Sequence, residues 1–426
     1  MELPDRYEDL GLIAVGGMGE VRRVQDRRLQ SVVAMKISLP EVSASPLLQQ
    51  RFRDEGRLTA QLHHPGIIAV HDLGELADGR LFFTMEEVRG RTLATIIEEH
   101  HTDPDSPWTL RRLVEVFWRA CQALAYAHHQ GVIHRDIKPD NLMVGGLGEV
   151  RVMDWGLARQ LSEAEPMIPR LGGPLREQTQ VGDVVGTPAF MSPEQARGRL
   201  EDLGPETDVY ALGATLHAIL SGEPPYPGGA VSAWKALIAS EPPAPLPAHT
   251  PAELRDICAT AMHPDALMRP LDASEVAEAV EAWLEGARKQ QEAMAILARA
   301  DEARPEIDGM RSRATTLRSE ADTILAPLKP YDPVEKKRPG WRLLDAASDC
   351  ERQAAVAEAG WLQTVRSALN LCQSSPLPTT GSPTTTSGAC STPRPSDAIR
   401  MLLGSRRSSA AMIAVGLRDF WRDSAR

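Results

Sequence analysis

The run His134-Arg135-Asp136-Ile137-Lys138-Pro139-Asp140-Asn141, followed by Asp154-Trp155-Gly156, limits what this chain can fold into more than any other feature. It packs two carboxylates, two cations and an amide into one loop, after a segment with helical spacing. Few chemistries need that set. Phosphoryl transfer does, because it asks for a cradle around nucleotide phosphates, a cation beside them, oxygens for a metal ion and a carboxylate aimed at the attacking hydroxyl. On this reading Asp136 orients a substrate hydroxyl and accepts its proton, and Lys138 lies beside the transferring phosphate. Asn141 and Asp154 hold Mg2+.

The other parts lie upstream, in a workable order. Ala14-Val15-Gly16-Gly17-Met18-Gly19-Glu20-Val21 reads as a small-residue turn between strands that lets backbone N–H groups approach phosphate oxygens. Lys36, closing Val33-Ala34-Met35-Lys36 on the next strand, sets an ammonium over those phosphates, and Glu55 on the following helix fixes its direction. Taken singly these are weak signals, since glycine-rich hairpins are common and a lysine with a glutamate is more often a plain surface pair. Their order ahead of the 134–141 loop gives them weight.

Apolar spacing supplies the surroundings. Strands are expected at 10–15, 21–24, 31–37, 67–72 and 81–86. Helices are expected at 47–62, 110–130, 208–220, 233–239, 252–261 and 273–285, where apolar residues recur three and four apart. The expected fold class is α+β, a small β-rich lobe followed by a larger helical lobe.

In this arrangement the sequence resembles the eukaryotic-type (Hanks-type) protein kinases, most closely their bacterial serine/threonine branch, over about 7–285. The roles assigned above are themselves those of protein kinases, so the match is recognition rather than an independent derivation. The resemblance implies the two-lobed kinase fold, ATP and Mg2+ as cofactors, and protein substrates with serine or threonine acceptors. It implies Met85 as gatekeeper, Glu86 to Val88 as the hinge that meets adenine, and Val21, Ala34 and Met143 as the side chains that sandwich the ring. The run from Gly186 to Gln195 resembles the end of the activation segment. Asp208-Val209-Tyr210-Ala211-Leu212-Gly213 resembles the helix that anchors the catalytic loop, and Arg269 the partner of Glu194. Lys138 is the family's choice for Ser/Thr acceptors, and Thr187 helps shape the acceptor groove. Arg135 beside Asp136 is its mark of control by phosphorylation, which makes Thr179 the expected autophosphorylation site.

Three positions depart from the family pattern. Ala14 replaces a glycine, Trp155 the usual phenylalanine, and Ser192 stands where alanine is commoner. None removes a reacting group. A pseudokinase scaffold acting by partner binding is the alternative, and it usually lacks one of Lys36, Glu55, Asp136, Asn141 or Asp154. A small-molecule phosphotransferase is weakened by Lys138 and the 186–194 run, both suited to gripping a peptide.

Hydrophobic residues make up 42% of the 426 and aromatics only 4%, so the core leans on aliphatic side chains and methionine. The formal net charge of −11 argues against nucleic acid or an anionic membrane as main partner. Five scattered cysteines without a CxxC pair fit reduced thiols. There is no leader pattern, and no apolar run nears the ~20 residues of a membrane helix. A soluble cytoplasmic protein is expected.

The expected domains are a kinase catalytic domain at 1–286, a helical, coiled-coil-like extension at 287–372, a Ser/Thr/Pro-rich disordered linker at 373–396 and a short tail at 397–426 with one helix. In the extension, Ile307, Met310, Ala314, Leu317, Ala321, Ile324 and Leu328 form a heptad-like stripe. Pro305 is expected near the start of that helix, a turn over 327–341, and a second helix over 342–372. This pair is similar to segments that follow the kinase domain in some large bacterial Ser/Thr kinases. Its expected role is docking, self-association or packing as an appendage. The change of composition after Cys372 also fits a truncated or frame-shifted remnant of a longer protein.

Overall fold

The glycine turn separates β1 (Tyr7–Val15) from β2 (Gly19–Asp26), and the chain returns as β3 (Ser31–Ser38). This computed structural model describes residues 2–161 and 188–373. After α1 (Pro40–Ser43) and α2 (Pro46–Gln61), β4 (Val70–Glu75) and β5 (Leu81–Met85) complete a five-stranded antiparallel sheet of order β1-β2-β3-β5-β4. The Leu81–Met85 strand is buried along its whole length because α2 covers one face of it. Phe52 of α2 packs on Phe83 with ring centroids 5.2 Å apart. That contact sets the height of the helix above the sheet.

The larger lobe opens with β6 (Gly90–Thr92), α3 (Leu93–Thr102) and α4 (Leu110–His129), then β7 (Val132–Ile133), β8 (Leu142–Gly145), β9 (Val150–Val152) and β10 (Arg159–Gln160). It continues with α5 (Pro193–Arg197), α6 (Pro205–Ser221), α7 (Ala230–Ala239) and α8 (Ala252–Ala261). Strands β6, β8 and β9 form one small sheet, and β7 pairs with β10. Thr109 caps α4 by accepting the Arg112 N–H, and Gly131 (φ 73°) lets the chain leave that helix. Every residue of α6 from Thr207 to Leu220 is buried. A helix covered on all sides belongs at the centre of its lobe, and α4 and α8 both pack on it.

The expected elements appear with shifted ends. The strand expected at 67–72 is β4 instead, because Ile67 makes only an isolated bridge to Val152 of the other lobe. Helices α1, α3 and α5 and the strands β6 to β10 of the large lobe were not expected. The short elements carry too few residues to display a period, whereas α3 does bury Leu93, Ile96 and Ile97 at helical spacing.

The described residues form two compact units that divide between Leu284 and Glu285. The second is a helical hairpin of α9 (Ala273–Leu325), which begins in the first unit, and α10 (Val334–Gln373). Two expectations need correction here. Pro305 lies inside α9, and α10 begins at Val334 with Pro339 inside it, so the turn spans only 326–333. An interior proline costs roughly 3 kcal/mol in lost hydrogen bonding and steric conflict. Here Ala300 and Ile307, on either side of Pro305, are buried against Trp361, Val365 and Leu369, and that packing offsets the loss.

Burial in the hairpin recurs every seven residues: Ala293, Ala300, Ile307, Ala314 and Ala321 on α9, and Ala347, Ala354, Trp361 and Ala368 on α10. Ion pairs Arg318–Glu351 (2.7 Å) and Arg311–Glu358 step seven residues in opposite directions, fixing an antiparallel register. That register sets Ala314 level with Ala354 and Ala321 level with Ala347. A methyl group on Gly340 would meet Leu325 Cγ at 2.5 Å, so the helices also approach closely beside the turn. A seam of small side chains leaves no room for larger ones. Ala314→Leu should destabilise the hairpin by roughly 1–3 kcal/mol, seen as earlier loss of helical circular dichroism on heating. The exposed neighbour Ser312→Leu should barely move that transition.

No helix among the described residues is long and apolar enough to cross a membrane. Thr179, Gly186, Thr187, Cys390, the expected linker and the expected tail helix lie outside the described residues.

Candidate active site

Strands β1, β2, β3, β5 and β8, helix α2 and the segments between elements carry the expected residues. The phosphate turn closes with a Gly16 N–H to Gly19 carbonyl bond of 2.8 Å, and Val15 pairs with Glu20 across it. Gly19 is required by packing, since a Cβ there would lie 2.6 Å from the Ile37 carbonyl oxygen. Ala14 pairs with Val21 and has no left-handed backbone angle, so this position does not need glycine. Gly16 and Gly17 are exposed and Met18 is half-buried.

Strand β3 holds Lys36 opposite Val21 and Phe83. The Lys36 Nζ donates to Glu55 Oε1 at 2.5 Å and lies 3.8 Å from Asp154 Oδ1. Burial works against the Lys36 ammonium, but the charges of Glu55 and then Asp154 outweigh it, and its pKa lies above the ordinary lysine value. The other oxygen, Glu55 Oε2, is buried without a hydrogen-bond partner. It faces Gly156, where an added Cβ would come within 3.3 Å of it. The adenine residues expected on the same strands are adjacent: Ala34 pairs with Met85, and both are buried. Val21, Val88 and Met143 are half-buried. The Glu86 N–H donates to the Ala69 carbonyl, and its carboxylate takes two bonds of 3.2 Å from Arg151 on β9.

The loop after β7 presents Asp136. Its Oδ2 accepts from Lys138 Nζ at 2.8 Å and from Asn141 Nδ2 at 3.0 Å. Asn141 Nδ2 also donates to the Asp136 carbonyl at 2.7 Å, which turns the amide oxygen of Asn141 to the other side. The loop is held from beneath by Asp208 of α6, fully buried, whose carboxylate accepts the His134 and Arg135 N–H groups at 2.7 Å each. Arg135 has φ of 67°, a left-handed angle that a non-glycine residue adopts only when its surroundings enforce it. His128 adds a third donor: its Nδ1 accepts the Ala273 N–H, which leaves Nε2–H to donate to Asp208 at 2.9 Å. Burial pushes the Asp208 carboxyl up, but the hydrogen bond from His128 and the surrounding donors prevail and hold its pKa below the ordinary aspartate value.

Asp154 is also left-handed (φ 58°), and its side chain is about half exposed, at 54%. Trp155 next to it is among the largest fully buried side chains, packed at a tilt against His134 with ring centroids 4.6 Å apart, and its Nε1–H donates to the Val152 carbonyl at 3.2 Å. The departure from phenylalanine thus adds a hydrogen bond beside Asp154. Trp155→Phe should remove it and leave a small void, costing about 2 kcal/mol. Thermal unfolding should start about 5 °C lower.

Ser192, the other departure, is a helix cap. It accepts the Gln195 N–H and donates its own N–H to Gln195 Oε1, a capping box at the start of α5. One residue along, Glu194 forms a two-pronged pair with Arg269 at 2.8 and 3.0 Å. His128 was not singled out from the sequence, and Gln195 only as the last residue of the 186–195 run, with no role of its own. Their contacts lie far along the chain, at Asp208 and the Ala273 N–H for His128 and at the Arg135 carbonyl for Gln195.

The matched family is the protein kinase domain, over residues 7–279, and the chain belongs to it. Among similar proteins are the serine/threonine-protein kinase PknB of Mycobacterium tuberculosis, 40% identical over 229 residues, and that of Mycolicibacterium smegmatis, 42% identical over 229 residues. Each match covers 53% of this chain and 34% of the relative. The serine/threonine-protein kinase PknA of Mycobacterium tuberculosis is 35% identical over 290 residues, 67% of this chain and 63% of that protein. The chain thus spans about a third of the length of the PknB relatives it matches.

Proposed function

We propose that this chain is an ATP-dependent protein kinase that phosphorylates serine and threonine hydroxyls of proteins. The observation that carries the reading is Lys36 already paired with Glu55 and 3.8 Å from Asp154, together with Asp136, Lys138 and Asn141 clustered in a loop whose Asn141 carbonyl accepts the N–H of Met153, next to Asp154. In this reading Lys36, aimed by Glu55, binds the nucleotide phosphates, with the N–H groups of 14–19 around them. Met85, Glu86, Val88, Val21, Ala34 and Met143 hold the adenine. Asp136 orients the acceptor hydroxyl and takes its proton, and Lys138 neutralises charge on the transferring group.

Asp154 and the free amide oxygen of Asn141 suit Mg2+, which binds through one or two protein oxygens and completes its shell with phosphates and water. Among the described residues there is no cluster of three or more acidic, histidine or cysteine side chains, so a metal held by protein alone does not fit. Bound there, Mg2+ would supply charge neutralisation at the phosphates.

The proposal extends to regulation by autophosphorylation at Thr179, supported by Arg135, whose Nε donates to the Leu157 carbonyl where the activation segment begins. It includes a cytoplasmic setting, supported by the free, buried thiols of Cys121 and Cys258. The hairpin is proposed as a docking or self-association element. Its heptad stripe is closed within one chain, so association would use its outer faces.

Labelled ATP, Mg2+ and a generic basic protein provide the test. Phosphoserine or phosphothreonine is expected in the product. Bound ATP without transfer, before and after preincubation with ATP, would leave the scaffold reading instead.

A further inference from the structure

The catalytic loop is gripped on two sides, and only one grip comes from Asp208. The carbonyl of Arg135 accepts a 2.7 Å hydrogen bond from Gln195 Nε2, sixty residues along the chain. The orientation of that amide is dictated by its other end, since Oε1 accepts both the N–H of Ser192 (3.1 Å) and its hydroxyl (3.2 Å). A flipped amide would set its NH2 group against the Ser192 N–H and its oxygen against the Arg135 carbonyl. Arg135 is the left-handed residue of the loop, and the peptide whose carbonyl Gln195 holds is the one that carries Asp136. Rotation of this peptide would swing the Asp136 carboxylate away from Lys138 and Asn141.

We infer that Gln195 is a positioning residue for Asp136, coupling the order of the α5 segment to the geometry of the proposed base. The inference rests on the kinase reading for its catalytic consequence, not for its structural one. Asp208 fixes the N–H side of the strained residue and Gln195 the carbonyl side, so the loop is fully set only when α5 is in place. Glu194 pins α5 to the lobe through Arg269. Disturbance of α5 therefore reaches the base through one side-chain amide.

Gln195→Glu isolates the tether from the cap. It keeps the size of the side chain and the oxygen that Ser192 needs, but it turns a second acceptor toward the Arg135 carbonyl. Ser192→Ala does the reverse, weakening the cap while leaving the amide and its donor. In full-length protein, Gln195→Glu should speed hydrogen exchange of the backbone amides of 134–137, and Ser192→Ala should not. With a serine-containing peptide as acceptor, Gln195→Glu should lower kcat about tenfold, the equivalent of one lost hydrogen bond, with KM for ATP within about twofold. The deficit should shrink as the pH is lowered toward the protonation of the new carboxyl, which then donates. Ser192→Ala should lower the unfolding temperature and keep kcat. Equal losses in both variants would reduce Gln195 to a cap, and unchanged exchange in Gln195→Glu would overturn the tether. A wild-type protein that transfers no phosphate would count against the kinase reading alone, because the exchange comparison still decides the tether.

Discussion

Asp136→Asn should lower kcat for phosphate transfer by about 10²–10⁴-fold, the span expected when a positioned general base is removed. Asparagine has the same shape and retains an oxygen for Lys138, whose Nζ lies 2.8 Å from Asp136 Oδ2 in the native protein. What it lacks is the capacity to take a proton from the acceptor hydroxyl. Folding and nucleotide binding should therefore survive, since Lys36, Glu55 and the 14–19 turn are untouched. Calorimetric titration with ATP and Mg2+ should give affinities within about twofold of the wild type, while labelled phosphate in product falls to near background. A loss smaller than tenfold would remove Asp136 from the role of base.

Arg269→Leu should produce the largest change in stability. The Arg269 side chain is fully buried, paired twice to Glu194 and bonded to the carbonyls of Glu206 (2.9 Å), His263 (2.7 Å) and Pro264 (3.3 Å). Its guanidinium also lies 4.9 Å from the centre of the Tyr210 ring. Leucine strands a buried carboxylate and three acceptors, and breaking a buried pair from one side typically costs about 3–5 kcal/mol. The unfolding temperature should drop by roughly 10 °C. Arg199→Ala, which removes an exposed pair to Asp202, should change it by less than about 1 °C. A shift for Arg269→Leu as small as that would mean the buried pair contributes nothing.

The same pair sets a pH dependence. Burial pushes the Glu194 carboxyl up, but Arg269 outweighs it and holds the folded pKa below the ordinary glutamate value. A depressed folded pKa contributes stability that is complete above the unfolded value of about 4.3 and fades as the pH falls through the folded one. Acid unfolding of the wild type should therefore steepen below about pH 4. The Glu194→Gln protein should be less stable at neutral pH and show a shallower acid slope.

The chemistry of the site was legible in the sequence because its residues come in short, ordered runs. The 134–141 loop, Asp154, Lys36 and Glu55 could be singled out from the sequence, and the geometry gathers them into two groups, Lys36 with Glu55 and Asp154, and Asp136 with Lys138 and Asn141. The two-lobed α+β character was legible too. A β-rich start and a helical remainder have different periods, and α6 was expected as a helix at 208–220, whereas its burial on every side is a finding of the structure.

Tertiary structure decided the rest, for one physical reason: backbone groups have no sequence signature. The Arg135 carbonyl, which Gln195 holds, and the Ala273 N–H, which fixes the proton on His128, belong to peptide units that any residue provides. The two internal prolines make the same point in the hairpin. Local preference starts one helix at about Pro305 and delays the next beyond Pro339, yet both helices run through. The buried seven-residue repeat of α9 continues from Ala300 to Ile307 across Pro305, and Gly340, beside Pro339, is buried where the two helices approach closely, so packing against an antiparallel partner outweighs a local penalty that the sequence alone displays.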